Sequence, residues 1–220
     1  MPDLSNYEDG LLDEWEVSRP ELNYALEQNP SSRGMLFGYV AELKLLEEIE
    51  KVKGVNGTPK KPDDHDREEK YDWKVNYKGR ELTFESKSLQ TKTVEFVNPG
   101  SKRWNGMEER FDGDPPEDGF WFGRAQVDAS DRRPVTFPDG SRQETTLLLT
   151  GDFDILAINL FAFGKGWNFI YAKNEDLKTS SYGGYSDYEQ QHLIASMQDA
   201  TWPPCDPYTP DLREILEDHV

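Results

Sequence analysis

The stretch Tyr71–Leu89, YDWKVNYKGRELTFESKSL, places one acidic residue on a short strand-like segment and an acid–lysine pair on the next. Side chains of an extended strand alternate between its two faces, so Glu85 and Lys87 project together. The turn dipeptide Lys78-Gly79 joins the two segments as a hairpin, whose first strand carries Asp72. The spacing therefore predicts that two carboxylates and one ammonium group meet at a single point.

Such a cluster suits a hard divalent cation. Asp72, Glu85 and a backbone carbonyl would supply oxygen ligands, and Lys87 would lie beside an attacking water or a phosphate oxygen. The same E-x-K spacing also occurs at 42–44, in a helical pattern where residues two apart face about 200° apart, and at 68–70, in a charged run with few apolar residues. An ordinary surface strand with a cross-strand charge pair is the alternative interpretation.

A helix is predicted before this hairpin, because apolar residues recur at helical spacing over residues 35–49. Ser31 or Ser32 is expected to cap this helix, and Gly54 is expected to end it. Glu42 lies in the middle of the pattern, near the apolar positions. Its carboxylate is therefore either solvated at the edge of the apolar helix face or directed at a cation.

The rest of the chain predicts strands separated by long loops. Two apolar segments, 153–163 and 167–172, are typical of central strands that are buried on both faces. A final helix is predicted at 187–198, capped by Asp187. The other predicted elements are strands at 71–77, 81–89, 120–127 and 145–149, an extended segment at 91–97, an amphipathic stretch at 212–216, and loops at 54–70 and 98–118.

A second acidic group competes with the hairpin as a metal site. Asp152 and Asp154 alternate on one strand face near Asp128 and Asp131, but no lysine follows at strand spacing in the same hairpin. We therefore predict that Asp152 caps or ends the strand. Asp154 is predicted to be either an inward polar group of that strand or a surface residue.

The length and composition predict one domain over residues 1–220, with a helical extension at 1–30 and an acidic, proline-rich tail at 199–220. No apolar run approaches the ~18 residues that cross a bilayer, and the acidic first thirty residues are unlike a signal peptide. The single Cys205 excludes an internal disulfide framework and a cysteine-rich zinc site. A cytoplasmic location without membrane association is expected.

The formal net charge of −18 opposes a nucleic-acid role, because phosphate binding draws on Lys and Arg. The charge is unevenly distributed, however. Residues 74–103 contain seven Lys and Arg against three Glu, a local balance of +4, so the remainder carries −22. A polyanion can therefore still be steered to the middle of the chain.

Several polar residues outside the hairpin have the chemistry of nucleic-acid contacts. The long loop combines cations with an aromatic ring and an amide, groups that contact phosphates, stack on bases and bind base edges. A pair of arginines at a predicted loop tip is expected to contact phosphate, and Gln90 is expected to hold a water or a phosphate. The predicted DNA-binding residues are Gln90, Lys92, Lys102, Arg103, Trp104, Asn105, Arg132 and Arg133.

The order of a helix with Glu42, a strand with Asp72, a strand with Glu85-Ser86-Lys87, and the strands FDILAINLF and WNFIYA resembles the PD-(D/E)xK nuclease superfamily. The similarity covers roughly residues 33–177 and is strongest to type II restriction-endonuclease-like members. It implies an α/β (α+β) fold with a restriction-endonuclease-like core, a mixed central β-sheet flanked by helices. In that core a crossover helix follows a three-stranded antiparallel meander. The chain departs from the family in having Tyr71 where a proline often stands, and a loop-like 98–118 where the crossover helix is expected.

The resemblance implies catalytic roles for Asp72, Glu85, Lys87 and Glu42, the last as a helix acid. It implies Mg²⁺, with Mn²⁺ as an alternative, held by Asp72, Glu85 and the Ser86 carbonyl. The implied function is a Mg-dependent endonuclease that hydrolyses DNA phosphodiester bonds, as a homodimeric type II restriction or phage-defence nuclease. The alternative is a noncatalytic acidic binding protein, either a DNA mimic or a partner-docking module, on a nuclease-like core.

Overall fold

The computed structural model describes residues 10–61, 70–107, 110–111 and 116–220, without the side chains of Thr58 and Ser130. No helix in these ranges is long and apolar enough to cross a membrane. The helices are α1 (Leu11–Glu14), α2 (Arg19–Gln28), α3 (Pro30–Lys51), α4 (Lys102–Asn105), α5 (Asp187–His192) and α6 (Leu212–Glu217). The strands are β1 (Val55–Lys60), β2 (Trp73–Tyr77), β3 (Arg80–Ser88), β4 (Glu95–Val97), β5 (Phe120–Gln126), β6 (Asp128–Thr136), β7 (Arg142–Leu147), β8 (Ile155–Asn159), β9 (Phe169–Lys173) and β10 (Met197–Trp202).

A mixed five-stranded sheet in the order β1-β2-β3-β8-β9 forms the centre of the fold. The first three strands make an antiparallel meander, β8 runs parallel to β3, and β9 returns antiparallel. The predicted hairpin turn is confirmed, because Lys78 and Gly79 both adopt positive φ angles of 49° and 92°, as a tight turn between twisted strands requires. The predicted mixed α+β architecture with a mixed central sheet is likewise confirmed.

Helices α3 and α6 cover one face of this sheet, and a second, three-stranded sheet in the order β10-β5-β4 lies over the other. Leu45 and Ile49 of α3 pack with Phe84 on the helix side. Leu156 and Ile158 pack on the opposite side, with Ala125 of β5 among others. All five residues of β8 are buried, because both faces of this strand are covered, as its apolar sequence predicted.

Two helix predictions require correction. Ser186, rather than Asp187, caps α5, through a reciprocal capping box with Glu189. The predicted helix over 187–198 ends at His192, and Met197–Trp202 forms strand β10 instead. Its pairing with β5 is a tertiary contact that local helical spacing does not contain. At the other helix, α3 begins at Pro30 after Asn29, so Ser31 and Ser32 lie inside it and do not cap it.

Two loop predictions also require correction. The predicted polar loop at 54–70 contains β1, which pairs with β2 at the sheet edge, while residues 62–69 lie outside the described part of the chain. Where the nuclease family has a crossover helix, the described residues between β3 and β8 form β4 to β7 and only the four-residue α4. The chain thus returns to the parallel position beside β3 mainly through strands.

Candidate active site

Asp72 lies just before β2 and reaches across to β3. The ladder between these strands ends at the pair Trp73 and Phe84, and the Asp72 N–H donates to the Phe84 carbonyl at 2.8 Å. The side-chain Oδ2 of Asp72 then accepts a hydrogen bond from the Ser86 N–H at 2.7 Å. These bonds fix the Asp72 carboxylate beside the strand segment that contains Glu85.

Glu85 and Lys87 point to the sheet face opposite α3. Their neighbours in β3, Leu82 and Phe84, belong to the core beneath α3, and alternation along the strand directs the odd-numbered residues to the other side. The Lys87 ammonium forms an ion pair with the Glu85 carboxylate. The two side chains are only 22% and 9% exposed, so this charge pair is largely removed from water.

Glu42 joins the cluster from α3. Its backbone carbonyl accepts a hydrogen bond from the Trp73 indole N–H at 3.0 Å, which ties α3 to the beginning of β2. Its carboxylate pairs with the Lys61 ammonium at 2.6 Å. The helical pattern of α3 identified Glu42 as a candidate site residue. Nothing in the sequence identified Lys61 as its partner, because Lys61 was assigned to a polar loop.

Burial and repulsion among the acids raise two carboxyl pKa values. Burial raises the pKa of Glu85 to about 7, against the opposing effect of Lys87, and the charges of Asp72 and Glu42 raise it further. Burial followed by the charge of Asp72 raises the pKa of Glu42. The charge of Asp72 thus acts on both Glu42 and Glu85, and the charge of Glu42 acts on Glu85.

Lys87 is held in its charged form. Burial by itself would lower its pKa, but the charges of Glu85, Asp72 and Glu42 outweigh burial and raise the pKa above its ordinary value. A strongly protonated lysine is a poor general base. The arrangement therefore favours orientation and charge stabilisation, and opposes proton abstraction by Lys87.

The donor set is small but has the chemistry of a magnesium site. Within the described ranges, no group of three or more His, Cys, Asp or Glu side chains is arranged to hold a metal ion. Magnesium in proteins is commonly held by one or two carboxylates, with water and substrate phosphate completing its shell. Asp72 and Glu85, together with the Ser86 carbonyl, match that smaller set. Burial is the main cause of the raised pKa of Glu85, and the charges of Asp72 and Glu42 add to it.

Gln90 lies close after β3 in a hydrogen-bonded network. Its Nε2 donates to Oε1 of Gln126 at 2.7 Å, and its backbone N–H donates to the Arg124 carbonyl at 2.8 Å. Lys92, two residues further on, is exposed. Sequence inspection missed Gln126 and Arg124, because they lie on β5 and become neighbours of Gln90 only through tertiary pairing.

The predicted contacts of the long loop fall on α4 and have mixed surroundings. Lys102 and Arg103 line a groove against β4, and Arg103 pairs with Glu95 while its guanidinium lies 4.1 Å from the centre of the Phe122 ring. The Trp104 ring stacks on the Phe120 ring, with the ring centres 5.7 Å apart, and is only partly exposed. Asn105 is exposed at the end of α4. The indole thus has a packing role, and DNA contact by these four residues stays a prediction.

Arg132 and Arg133 do not lie at a loop tip, as their position in the sequence suggested. Both belong to β6, within the β6–β7 hairpin. Arg132 donates to the Glu144 carbonyl at 3.1 Å, and Arg133 pairs with Asp152 at 3.3 Å with both side chains 18% exposed. Arg133 is therefore engaged within the protein, because it compensates a half-buried acid.

The competing acids have structural partners. Asp152 accepts hydrogen bonds from the Leu149 N–H at 2.8 Å and from Arg133, and it lies in the turn between β7 and β8, outside both strands. Asp154 accepts from both the N–H and the hydroxyl of Thr83 at 2.8 Å. Asp154 is thus an inward polar group that joins β3 to the beginning of β8. This agrees with the first of its two predicted roles, an inward polar group rather than a surface residue.

No family model matches the chain, and no curated protein matches it. Among solved structures, the chain is similar to a bacterial homing endonuclease, with 15% sequence identity and a TM-score of 0.35. The similarity covers 72% of this chain and 87% of the other. A likeness this distant does not assign the chain to a family.

Proposed function

We propose that this protein is a metal-dependent endonuclease that hydrolyses DNA phosphodiester bonds, built on a PD-(D/E)xK-type site. One observation carries the proposal. Lys87 pairs with Glu85, Asp72 is hydrogen-bonded to the neighbouring Ser86 N–H, and the charge of Glu42 from α3 raises the pKa of Glu85. A surface strand with an incidental charge pair would not gather a third carboxylate from a helix.

Asp72, Glu85 and the Ser86 carbonyl would hold Mg²⁺, or Mn²⁺ in its place. When bound, the ion would neutralise charge on the scissile phosphate and make a water more acidic. The Asp72 carboxylate is already oriented by the Ser86 N–H. The proposed ligands therefore lie on β3 and at the residue just before β2, and such packed elements give the rigidity that a precise site requires.

Lys87 and Glu42 would act around this centre. The protonated Lys87 would orient the attacking water or stabilise negative charge on the phosphate oxygens in the transition state. Glu42 would add negative charge near Asp72, either for a further metal position or as a water-mediated contact. The role of Lys87 follows from its raised pKa, which keeps the ammonium charged. The role of Glu42 follows from its repulsion by Asp72, which a nearby cation would reduce.

The substrate we propose is double-stranded DNA, cut by a homodimer so that both strands are broken. The apolar side chains exposed on α2 and α3 support association, since protein interfaces commonly bury such patches. They are Tyr24, Met35, Leu36, Tyr39 and Leu43. A role in restriction or phage defence follows as the biological setting of such an enzyme.

The test is cleavage of supercoiled plasmid and of random linear duplex with Mg²⁺ or Mn²⁺, repeated with EDTA. We expect Glu85→Gln to reduce the rate by at least about a hundredfold, because a lost charge at the reacting centre typically costs that much. Glu81→Gln is the matched control, since Glu81 lies on the same strand but is exposed. Sedimentation of the same samples measures the oligomeric state.

Two outcomes would contradict the proposal. Cutting that survives both EDTA and Glu85→Gln would place the activity elsewhere or in a contaminant. No cutting with either metal on plasmid, linear duplex or branched DNA would favour the noncatalytic acidic binder.

A further inference from the structure

The side chain of Gln90, three residues after Lys87, belongs to a chain of hydrogen bonds at the protein surface. Gln90 Nε2 donates to Gln126 Oε1 at 2.7 Å, and Gln126 Nε2 donates to Asp128 Oδ2 at 3.1 Å. The Ser196 hydroxyl donates to the same Asp128 oxygen at 3.1 Å. The first two of these bonds lie at the exposed surface of the protein, where ordered amide pairs are costly in side-chain entropy.

The backbone under Gln90 is also fixed. Its carbonyl accepts from the Thr93 N–H at 2.8 Å and from the Thr93 hydroxyl at 2.7 Å. The same hydroxyl accepts from the Arg124 N–H at 2.9 Å. Because its N–H also donates to Arg124, both backbone groups of Gln90 are bound, and the residue cannot swing away from β5 without breaking them.

A glutamine amide has two N–H donors and one oxygen acceptor. The bond to Gln126 uses one N–H of Gln90, so a donor and the oxygen remain for a ligand. This donor and acceptor match N7 and the exocyclic N6 amine of adenine in the major groove. The bond to Gln126 determines how the remaining N–H and the oxygen of the Gln90 amide are oriented.

The position of Gln90 suits a base contact next to a cleaved phosphate. Gln90 follows Lys87 by three residues, which is about 10 Å of extended chain and about three base-pair steps of DNA. The exposed Lys92 lies two residues further on, whereas the half-exposed Arg124 is paired with Asp199 at 2.8 Å. A cation such as Lys92 beside an amide provides a phosphate contact that sets the register, while the amide provides base selection.

We propose that Gln90 contacts an adenine edge of the DNA about three base pairs from the cut, and that Gln126 is a positioning residue that orients the Gln90 amide. This inference rests on the proposed function. It adds that the enzyme prefers certain sequences and assigns the source of that preference to a pair of amides outside the carboxylate cluster.

The experiment is cleavage of a randomised duplex library with Mg²⁺, followed by sequencing of the new ends. The wild-type protein is expected to prefer an A·T pair at one position near the cut. Gln90→Ala is expected to reduce that preference roughly ten- to a hundredfold, the range for one bidentate base contact. Gln126→Ala is expected to reduce the preference at the same position. The double variant should lose no more than Gln90→Ala, because the two residues act through one contact.

Two further variants protect the interpretation. Gln90→Glu keeps the shape of the side chain but has no N–H to donate, so it tests the contact should Gln90→Ala fail to fold. Gln191→Ala removes an exposed glutamine from α5 and is expected to leave the preference unchanged. Cleavage by wild-type protein with an undiminished preference in Gln90→Ala and Gln90→Glu would overturn this inference alone. Absence of any cleavage by wild-type protein would overturn it together with the proposed function.

Discussion

Two neighbouring positions of β3, Thr83 and Glu85, differ in how a carboxylate is held there. At Thr83, Asp154 accepts hydrogen bonds from the Thr83 N–H and hydroxyl, both at 2.8 Å, and its own N–H donates back to the Thr83 hydroxyl at 3.0 Å. At the second position, Glu85 pairs with the Lys87 ammonium and lies near the like charges of Asp72 and Glu42. Thr83 and Glu85 are two residues apart on the same face of one strand.

The difference separates an acid used for structure from an acid available for binding. Neutral donors on Thr83 satisfy Asp154 within the protein, and this set of bonds joins β3 to β8. Glu85 depends on a cation, and a cation is a partner that a metal ion can replace. The two positions share one strand and one face, so the hydrogen-bond and ion-pair partners of each carboxylate make the difference.

The largest difference in stability is expected from the pH response of Glu85. Its pKa is about 7 in the folded protein and about 4.3 in an unfolded chain, so the folded state holds this proton more tightly. The stability it contributes is fully present below about pH 4.3 and is lost as the pH rises to about 7. Metal-free wild-type protein should therefore lose about 3 kcal/mol of unfolding free energy relative to Glu85→Gln across that range. Urea denaturation between pH 4.5 and 8 measures this difference, and parallel curves for the two proteins would contradict it.

Removing the structural acid should have the next largest effect. Asp154→Ala leaves the Thr83 N–H and hydroxyl without their acceptor in a partly buried place, which should lower the unfolding free energy by about 2 kcal/mol. Asp154→Asn retains an acceptor oxygen and should lower it less. The midpoint of urea unfolding at pH 7 measures both variants. If Asp154→Ala were as stable as the wild type, the distinction between the carboxylates at Thr83 and at Glu85 would fail.

The smallest effect is expected from metal binding without DNA. Magnesium at about five times its dissociation constant should raise the unfolding free energy by about 1 kcal/mol. Glu85→Gln and Asp72→Asn should abolish this increase, whereas Asp154→Asn should keep it. Thermal unfolding at pH 8 with and without Mg²⁺ provides the measurement. An increase of equal size in all four proteins would indicate that the ion binds elsewhere.

Local patterns predicted the candidate site better than they predicted the second half of the fold. The alternation of Glu85 and Lys87 and the turn at Lys78-Gly79 depend on adjacent residues, and the structure shows both as predicted. The helix predicted over 187–198 was wrong at Met197–Trp202, because pairing with β5 decides the conformation of that segment. The same limitation hid the partners of Gln90, since Gln126 lies on another strand.

The sequence by itself determined the hairpin and the side of β3 on which its acid and lysine lie, because period-two alternation and turn chemistry are properties of neighbouring residues. The mixed α+β architecture was expected from the resemblance to a nuclease family. Only the tertiary structure decided that Glu42 and Lys61 join Asp72 and Glu85, that Asp154 is satisfied by Thr83, and that β10 is a strand. These outcomes depend on which distant segments pack together. Burial then sets the ionisation of Glu85, because the loss of water and the approach of other charges occur only in the folded protein.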